Sequence, residues 1–71
     1  EKTNFTSSNL TRVNFQGATL IEANFKNANL SEANFSSANI LDANFEGANL
    51  NGAIWTNLKS CGIDSIGVCN F

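Results

Sequence analysis

Residues 23–42 read ANFKNANLSEANFSSANILD, which are four consecutive units of five residues. Each unit begins with Ala and Asn and continues with a large apolar residue and two variable residues. Neither an α-helix nor a β-strand has this period, because their side chains repeat at about 3.6 and 2 residues. The segment is therefore a tandem repeat, and the repeat decides the architecture.

The same unit extends in both directions from this stretch. A large apolar residue recurs at every fifth position, and Phe alternates with Leu or Ile: Phe5, Leu10, Phe15, Leu20, Phe25, Leu30, Phe35, Ile40, Phe45, Leu50, Trp55. The position two residues earlier holds Ala from residue 18 onward and Thr, Ser or Val before it. We expect these two positions to face inward, and the remaining residues of each unit to face outward or form a turn.

The alternation of Phe with Leu favours a coil of four units. Such a coil stacks Phe5 under Phe25 and Phe45, whereas a coil of three units would stack Phe on Leu. Charged residues agree with this register, because each basic residue of the repeat meets an acid one coil later: Arg12 with Glu32, Lys26 with Glu46, Lys2 with Glu22. Exposed ion pairs contribute only about 0–1 kcal/mol each, so they indicate the register more than they stabilise it.

Asn lies between the two inward positions in nine of the eleven units, with Thr19 and Ile54 as the exceptions. Stacked Asn amides can hydrogen-bond to one another along a β-stack, and Asn also favours turns. We expect a structural role for these columns rather than a ligand-binding one.

Length and charge narrow the classes of function. The chain has 71 residues, enough for one domain, and four basic and six acidic residues give a net charge of −2. This balance favours neither a nucleic-acid partner nor a membrane surface. No apolar run approaches the roughly 20 residues of a membrane span, so we expect no membrane insertion.

These repeats resemble the pentapeptide-repeat family, whose motif is Ala, then Asp or Asn, then Leu or Phe, then two variable residues. The match runs over residues 3–55 and is cleanest over 18–53. The resemblance implies an all-β fold, a right-handed four-sided parallel β-helix. We expect this solenoid of about three coils to span residues 1–57, with residues 58–71 as a short C-terminal cap.

The C-terminal segment admits two interpretations. In the first, the repeat slips and continues with inward residues that are again five apart, Leu58, Ile63 and Val68, with Cys61 and Ile66 in the small positions. In the second, the segment folds over the end of the solenoid, which otherwise exposes apolar side chains and unpaired backbone. The order of residues resembles the disulfide-closed tail of some exported members of the family, which favours the cap.

That resemblance implies a disulfide between Cys61 and Cys69, and two reduced thiols are the alternative. The bridge would close a loop of nine residues. By the chain-entropy model it would stabilise the fold by about 2–3 kcal/mol. Two Cys in so short a chain also indicate an oxidising compartment. We therefore predict an extracytoplasmic location: periplasm, thylakoid lumen or secreted.

Residues capable of catalysis do not converge in this pattern. The chain has no His, and its acids face outward from the repeat. Glu22 and Asp42 form the one acidic pair at close predicted spacing, without a pocket and with too few oxygens for a hard cation. Cys61 and Cys69 alone do not make a zinc site. We predict a protein that is not an enzyme and that has no metal site and no cofactor.

Two features predict contacts with other proteins. Ile21 and Leu41 are apolar at outward positions of one column, which indicates a partner surface or packing against the cap. The first coil has no cap, so its apolar residues predict either preceding repeats or a subunit contact. The resemblance implies an end-to-end homodimer through this N-terminal coil.

We interpret the chain as a non-catalytic module, a rigid structural or protein-interaction scaffold with an unidentified protein partner. The alternative comes from the family, because some pentapeptide-repeat proteins confer quinolone resistance by mimicking DNA and binding DNA gyrase. Those proteins are long, dimeric and acidic along the rod. This chain forms fewer than three regular coils and balances its acids with Arg12, Lys26 and Lys2.

Overall fold

A computed structural model describes residues 2–71. These residues contain no helix, and their β-structure consists of isolated bridges rather than continuous strands. Seven parallel bridges each join a residue to the one four units later: Asn4 with Asn24, Asn9 with Asn29, Asn14 with Asn34, Thr19 with Asn39, Asn24 with Asn44, Asn29 with Asn49, Asn34 with Ile54. One coil therefore consists of four five-residue units, one for each side, as the alternation of Phe and Leu predicts.

We number the four sides in chain order and call the C-terminal end of the solenoid its upper end. Side 1 contains residues 3–5, 23–25 and 43–45, side 2 contains 8–10, 28–30 and 48–50, side 3 contains 13–15, 33–35 and 53–55, and side 4 contains 18–20 and 38–40. We call residues 58–71 the cap.

Each side bonds to its neighbouring coils in one repeated way. The N–H of Asn24 donates to the carbonyl of Thr3 at 2.9 Å, and the carbonyl of Asn24 accepts from the N–H of Phe5 at 2.7 Å. The middle residue of a side thus directs both backbone groups downward. The carbonyl of the first residue and the N–H of the third point upward to the next coil.

A tight turn follows every side. The carbonyl of Phe5 accepts from the N–H of Ser8 at 3.1 Å, and the second turn residue has a positive φ, as in Ser7 at 57° and Asp42 at 59°. The side chain of Asn24 closes the turn, because its Oδ1 accepts from the N–H of Lys26 at 2.9 Å. No hydrogen bond joins stacked Asn amides within residues 2–71, so the expected Asn ladder is wrong and the turn role of Asn is the one observed.

The core consists of the inward columns. The Phe5, Phe25 and Phe45 rings stack at centroid distances of 4.9 and 5.0 Å, and the Phe15 and Phe35 rings stack at 5.3 Å. Phe25 and Phe35 are fully buried, whereas Phe5 and Phe15 of the first coil are only partly buried. Burial is greatest in the middle coil because it has a neighbour on each side.

The chain reverses direction after Trp55. Residues 59–61 run antiparallel to the last segment of side 3, with a bridge between Ile54 and Ser60, and residues 65–67 run antiparallel to side 2, with a bridge between Asn49 and Ile66. A disulfide joins Cys61 to Cys69, whose Cα atoms are 4.9 Å apart. The cap therefore covers two sides of the upper end and is tied to itself.

The slipped-repeat interpretation is wrong. It places Leu58, Ile63 and Val68 inward, but these side chains are 68%, 82% and 66% exposed. The physical reason is the reversal, because a segment that runs antiparallel cannot continue the winding of the repeat. Cys61 and Ser65 are the buried residues of the cap instead.

Candidate functional site

The cap pairs with the upward-pointing backbone of only half of the last coil. Sides 2 and 3 are closed by five hydrogen bonds: Gly67 N–H to Ala48 carbonyl at 2.9 Å, Leu50 N–H to Ser65 carbonyl at 2.7 Å, Gly52 N–H to Cys61 carbonyl at 2.9 Å, Cys61 N–H to Ala53 carbonyl at 2.7 Å, Trp55 N–H to Lys59 carbonyl at 2.8 Å. The cap therefore acts as the next β-strand for these two sides and satisfies their upward-pointing backbone groups.

The equivalent groups on sides 4 and 1 have no hydrogen-bond partner within residues 2–71. They are the carbonyls of Ala38 and Ala43 and the N–H groups of Ile40, Asp42 and Phe45. One coil below, all five equivalent groups are paired at 2.7–2.9 Å. We call residues 38–45 the open rim, because a further strand has the same groups available to it as the third coil has on the second.

Leu41 lies at the corner between sides 4 and 1, in the middle of the open rim. Its side chain is 62% exposed, and Ile21, one coil below at the same corner, is partly buried. The N–H of Glu22 donates to the carbonyl of Leu41 at 2.8 Å, which fixes the two turns one above the other. Both residues of the predicted partner surface therefore share one corner, and the cap does not cover Leu41.

The charges next to the open rim are mainly acidic. Asp42 precedes the upper segment of side 1 and Glu46 follows it, and both are exposed. Within residues 2–71 the one ion pair joins Arg12 Nε to Glu32 Oε1 at 2.8 Å. The expected contacts of Lys26 with Glu46 and of Lys2 with Glu22 are not formed as ion pairs. The acids at the rim therefore have no ionic partner in the part of the chain that the structure describes.

The acidic column of Glu22 and Asp42 remains at the surface. Residues 2–71 contain no group of three or more His, Cys, Asp or Glu residues that could hold a metal, and no cavity. The same residues also contain no helix with the length and apolar character that a membrane span requires.

Ser65 is a structural residue that the sequence pattern does not reveal. It is fully buried, its Oγ donates to the carbonyl of Gly62 at 2.7 Å, and the same oxygen accepts from the N–H of Asn70 at 2.9 Å. Its N–H donates to Oδ1 of Asn51 at 2.8 Å, which ties the cap to the corner between sides 2 and 3. No periodicity marks this residue, because Ser also occurs at exposed turn positions of the repeat.

Four sides, five-residue units and parallel pairing between successive coils define a β-solenoid of short repeats. A family model described as pentapeptide repeats matches residues 1–27 and 14–52, in eight copies. The chain belongs to the pentapeptide-repeat family.

A solved structure supports the same conclusion. A pentapeptide repeat protein from the thylakoid lumen of Arabidopsis thaliana is 36% identical and superposes with a TM-score of 0.74. The match covers 75% of this chain but only 37% of that chain, so the present chain spans little more than a third of the length of its relative. The likeness implies the right-handed β-helix of the family. Comparison with curated proteins finds no match.

Proposed function

We propose that the chain is a non-catalytic scaffold whose open rim and exposed Leu41 form a binding surface for another protein. The observation that carries this proposal is the half-closed upper end. Five backbone groups there have no partner within residues 2–71, while the cap closes the matching groups on sides 2 and 3. Family membership supports the repeat scaffold, since pentapeptide-repeat proteins are generally structural or binding proteins.

The packing of the core favours a rigid base for that surface. Stacked rings and regular hydrogen bonds connect each coil with the next, and the described residues measure 27 × 22 × 18 Å.

Mimicry of DNA at gyrase is the weaker alternative, because Arg12 neutralises Glu32 on one corner. A supercoiling assay with purified gyrase tests it.

The test of the scaffold proposal compares two single variants. Leu41→Ser removes the exposed apolar side chain at the rim, and Gln16→Ser changes an exposed residue at the corner between sides 3 and 4. We expect immobilised wild-type protein and Gln16→Ser to retain the same crosslinked partner from an extract of the native host, and Leu41→Ser to lose it. Both variants should melt close to wild type. Equal retention by all three proteins would contradict the proposal.

We also propose an extracytoplasmic location, in the periplasm, the thylakoid lumen or outside the cell. The Cys61–Cys69 disulfide supports it, because such bonds persist in oxidising compartments. The thylakoid-lumen source of the solved relative is consistent with it. Intact-mass measurement after alkylation, on protein from the native host, tests it, and two alkylated thiols without reductant would contradict it.

We further propose an end-to-end homodimer through the N-terminal coil. The downward backbone groups of Asn4, Asn9, Asn14 and Thr19 have no partner within residues 2–71. A second copy could pair with them, as could preceding repeats of a longer chain. Sedimentation equilibrium over a range of concentrations tests the dimer, and a constant monomer mass would contradict it.

A further inference from the structure

We propose that the open rim binds an extended, basic segment of a partner protein by adding it as the next strand of side 1. The inference rests on the proposed scaffold function and specifies the chemistry of the partner. It commits to the rim at Ala43–Phe45 rather than to the lower end of the solenoid.

The backbone geometry for such an addition already exists one coil below. The middle residue of the third coil, Asn44, donates its N–H to the carbonyl of Ala23 at 2.9 Å and accepts from the N–H of Phe25 at 2.7 Å. The carbonyl of Ala43 and the N–H of Phe45 present the same pair of groups upward, without a partner in residues 2–71. One residue of an extended peptide can therefore occupy this site as Asn44 occupies the one beneath it.

The side-chain pattern of the partner follows from the same register. The residues on either side of Asn44 are the inward-facing Ala43 and Phe45, and Asn44 itself is exposed. A bound segment would likewise direct alternate side chains toward the core and toward solvent. Phe45 is only partly buried. An apolar residue of the partner would cover it, so the expected segment alternates apolar and polar residues.

The charges decide between a basic partner and a second copy of this chain. Asp42 and Glu46 lie at the two ends of the rim segment on side 1, both exposed and without an ion pair in the described residues. A second copy that paired through the same rim would bring these acids against their own equivalents, which is unfavourable. Lys or Arg at the solvent-facing positions of a partner strand would meet them favourably.

The first experiment uses a defined probe, the blocked hexapeptide Lys-Val-Lys-Val-Lys-Val, titrated into ¹⁵N-labelled protein. We expect saturable shifts of the amide signals of Asp42 and Phe45, with smaller changes on sides 2, 3 and 4. Two control peptides are Glu-Val-Glu-Val-Glu-Val and the Lys-Val peptide with the backbone nitrogens of its Lys residues methylated, since the solvent-facing residue is the one that bonds to the rim as Asn44 bonds to the coil below. Both should bind at least about tenfold more weakly, because one reverses the charge and the other removes strand hydrogen bonds.

Substitution of Asp42 and Glu46 distinguishes recognition of charge from non-specific binding of the peptide. The double substitution Asp42→Asn with Glu46→Gln should lower the affinity for the Lys-Val peptide by about tenfold at low salt. The matched control is Asp64→Asn in the cap, because Asp64 is also exposed and has a φ of 67° against 59° for Asp42, a conformation that Asn accepts. This control should leave the affinity within about twofold of wild type.

Three results would overturn the proposal. The first is no binding of the Lys-Val peptide, which would mean that the acids only protect a free edge from association. The second is equal binding of the acidic peptide or equal weakening by Asp64→Asn. The third is a concentration-dependent dimer that protects the rim amides without any peptide. If the rim fails in these ways while Leu41→Ser still loses a crosslinked partner, the scaffold function stands and only the basic-strand inference falls.

Discussion

The repeats and the cap both satisfy backbone hydrogen bonds of a neighbouring coil, but they do so by different physical means. In residues 3–55 every side pairs in parallel with the coil above or below, and one hydrogen-bond pattern serves all of them. The cap instead pairs antiparallel, depends on a buried Ser65 and is held by the Cys61–Cys69 bond. A solenoid grows by nearest-neighbour contacts between like units, whereas its end needs residues that occur only once.

The largest effect is expected in the middle of the repeats. Phe25→Ala removes a ring stacked between Phe5 and Phe45 at 4.9 and 5.0 Å, and should lower the free energy of unfolding by about 3–5 kcal/mol. Urea titration followed by far-UV circular dichroism measures it, and the fluorescence of Trp55, the single Trp, reports the junction with the cap, because its backbone N–H donates to the carbonyl of Lys59. We expect both signals to be lost together.

Phe71→Ala is the matched control for that change, because the same side chain is 66% exposed in the cap. Its effect should stay within about 0.5 kcal/mol of wild type. A Phe25→Ala protein as stable as this control would contradict the stacking of Phe columns from one coil to the next.

The second effect isolates the cap. Cys61→Ser with Cys69→Ser removes the cross-link and should cost about 2–3 kcal/mol by the chain-entropy model. We expect the fluorescence of Trp55 to change at lower urea than the circular dichroism, because the cap detaches before the repeats unfold. Wild-type protein treated with dithiothreitol should behave in the same way. Coincident transitions at the wild-type midpoint would show that the disulfide does not hold the cap.

A smaller effect tests the polar interior of the cap. Ser65→Ala leaves the carbonyl of Gly62 and the N–H of Asn70 without their partner, which should cost about 1–2 kcal/mol. Ser60→Ala, at an exposed position of the same cap, is the control and should change little. The comparison uses thermal melting followed by Trp55 fluorescence. Equal melting temperatures of the two variants would argue against the hydrogen bonds of Ser65 as stabilising contacts.

The smallest effect concerns the exposed charges of the repeats. Arg12→Gln breaks the 2.8 Å ion pair with Glu32 and should cost about 0.2–1 kcal/mol, less at high salt because exposed charges are screened. Lys26→Gln changes a basic residue that forms no ion pair within residues 2–71, so we expect a smaller change. Urea midpoints at low and high salt measure both. A larger loss for Lys26→Gln would contradict the assignment of the ion pair.

The structure of the repeats could be predicted from the sequence because each position of the five-residue unit, whether inward, outward or in the turn, recurs with the same kind of residue. The Phe alternation alone indicates the stacking of Phe5 under Phe25, which the ring geometry shows. The positions of Ile21 and Leu41 at one corner follow from the same register. Local periodicity therefore determined the coil, the core columns and the outward apolar residues.

The cap and the rim could not be predicted in the same way. Leu58, Ile63 and Val68 keep a spacing of five, although the chain reverses before them and leaves them exposed. Periodicity cannot distinguish parallel winding from antiparallel return, since both preserve the spacing. Whether the N–H of Phe45 finds a partner within residues 2–71 depends on how many sides the cap covers, and that is set by its tertiary path.

The reversal after Trp55 has a consequence for the orientation of the molecule. The cap covers side 3, on which the repeats end, and side 2 before it, so the open rim lies on the other two sides. Inserting one five-residue unit before the cap would rotate the rim by a quarter turn relative to the lower end. Inserting four units would keep the orientation of the rim about the solenoid axis and raise the rim by about 4.8 Å, one strand spacing. The number of repeats would thus set both the distance of a bound partner from the lower end of the solenoid and its orientation about the solenoid axis.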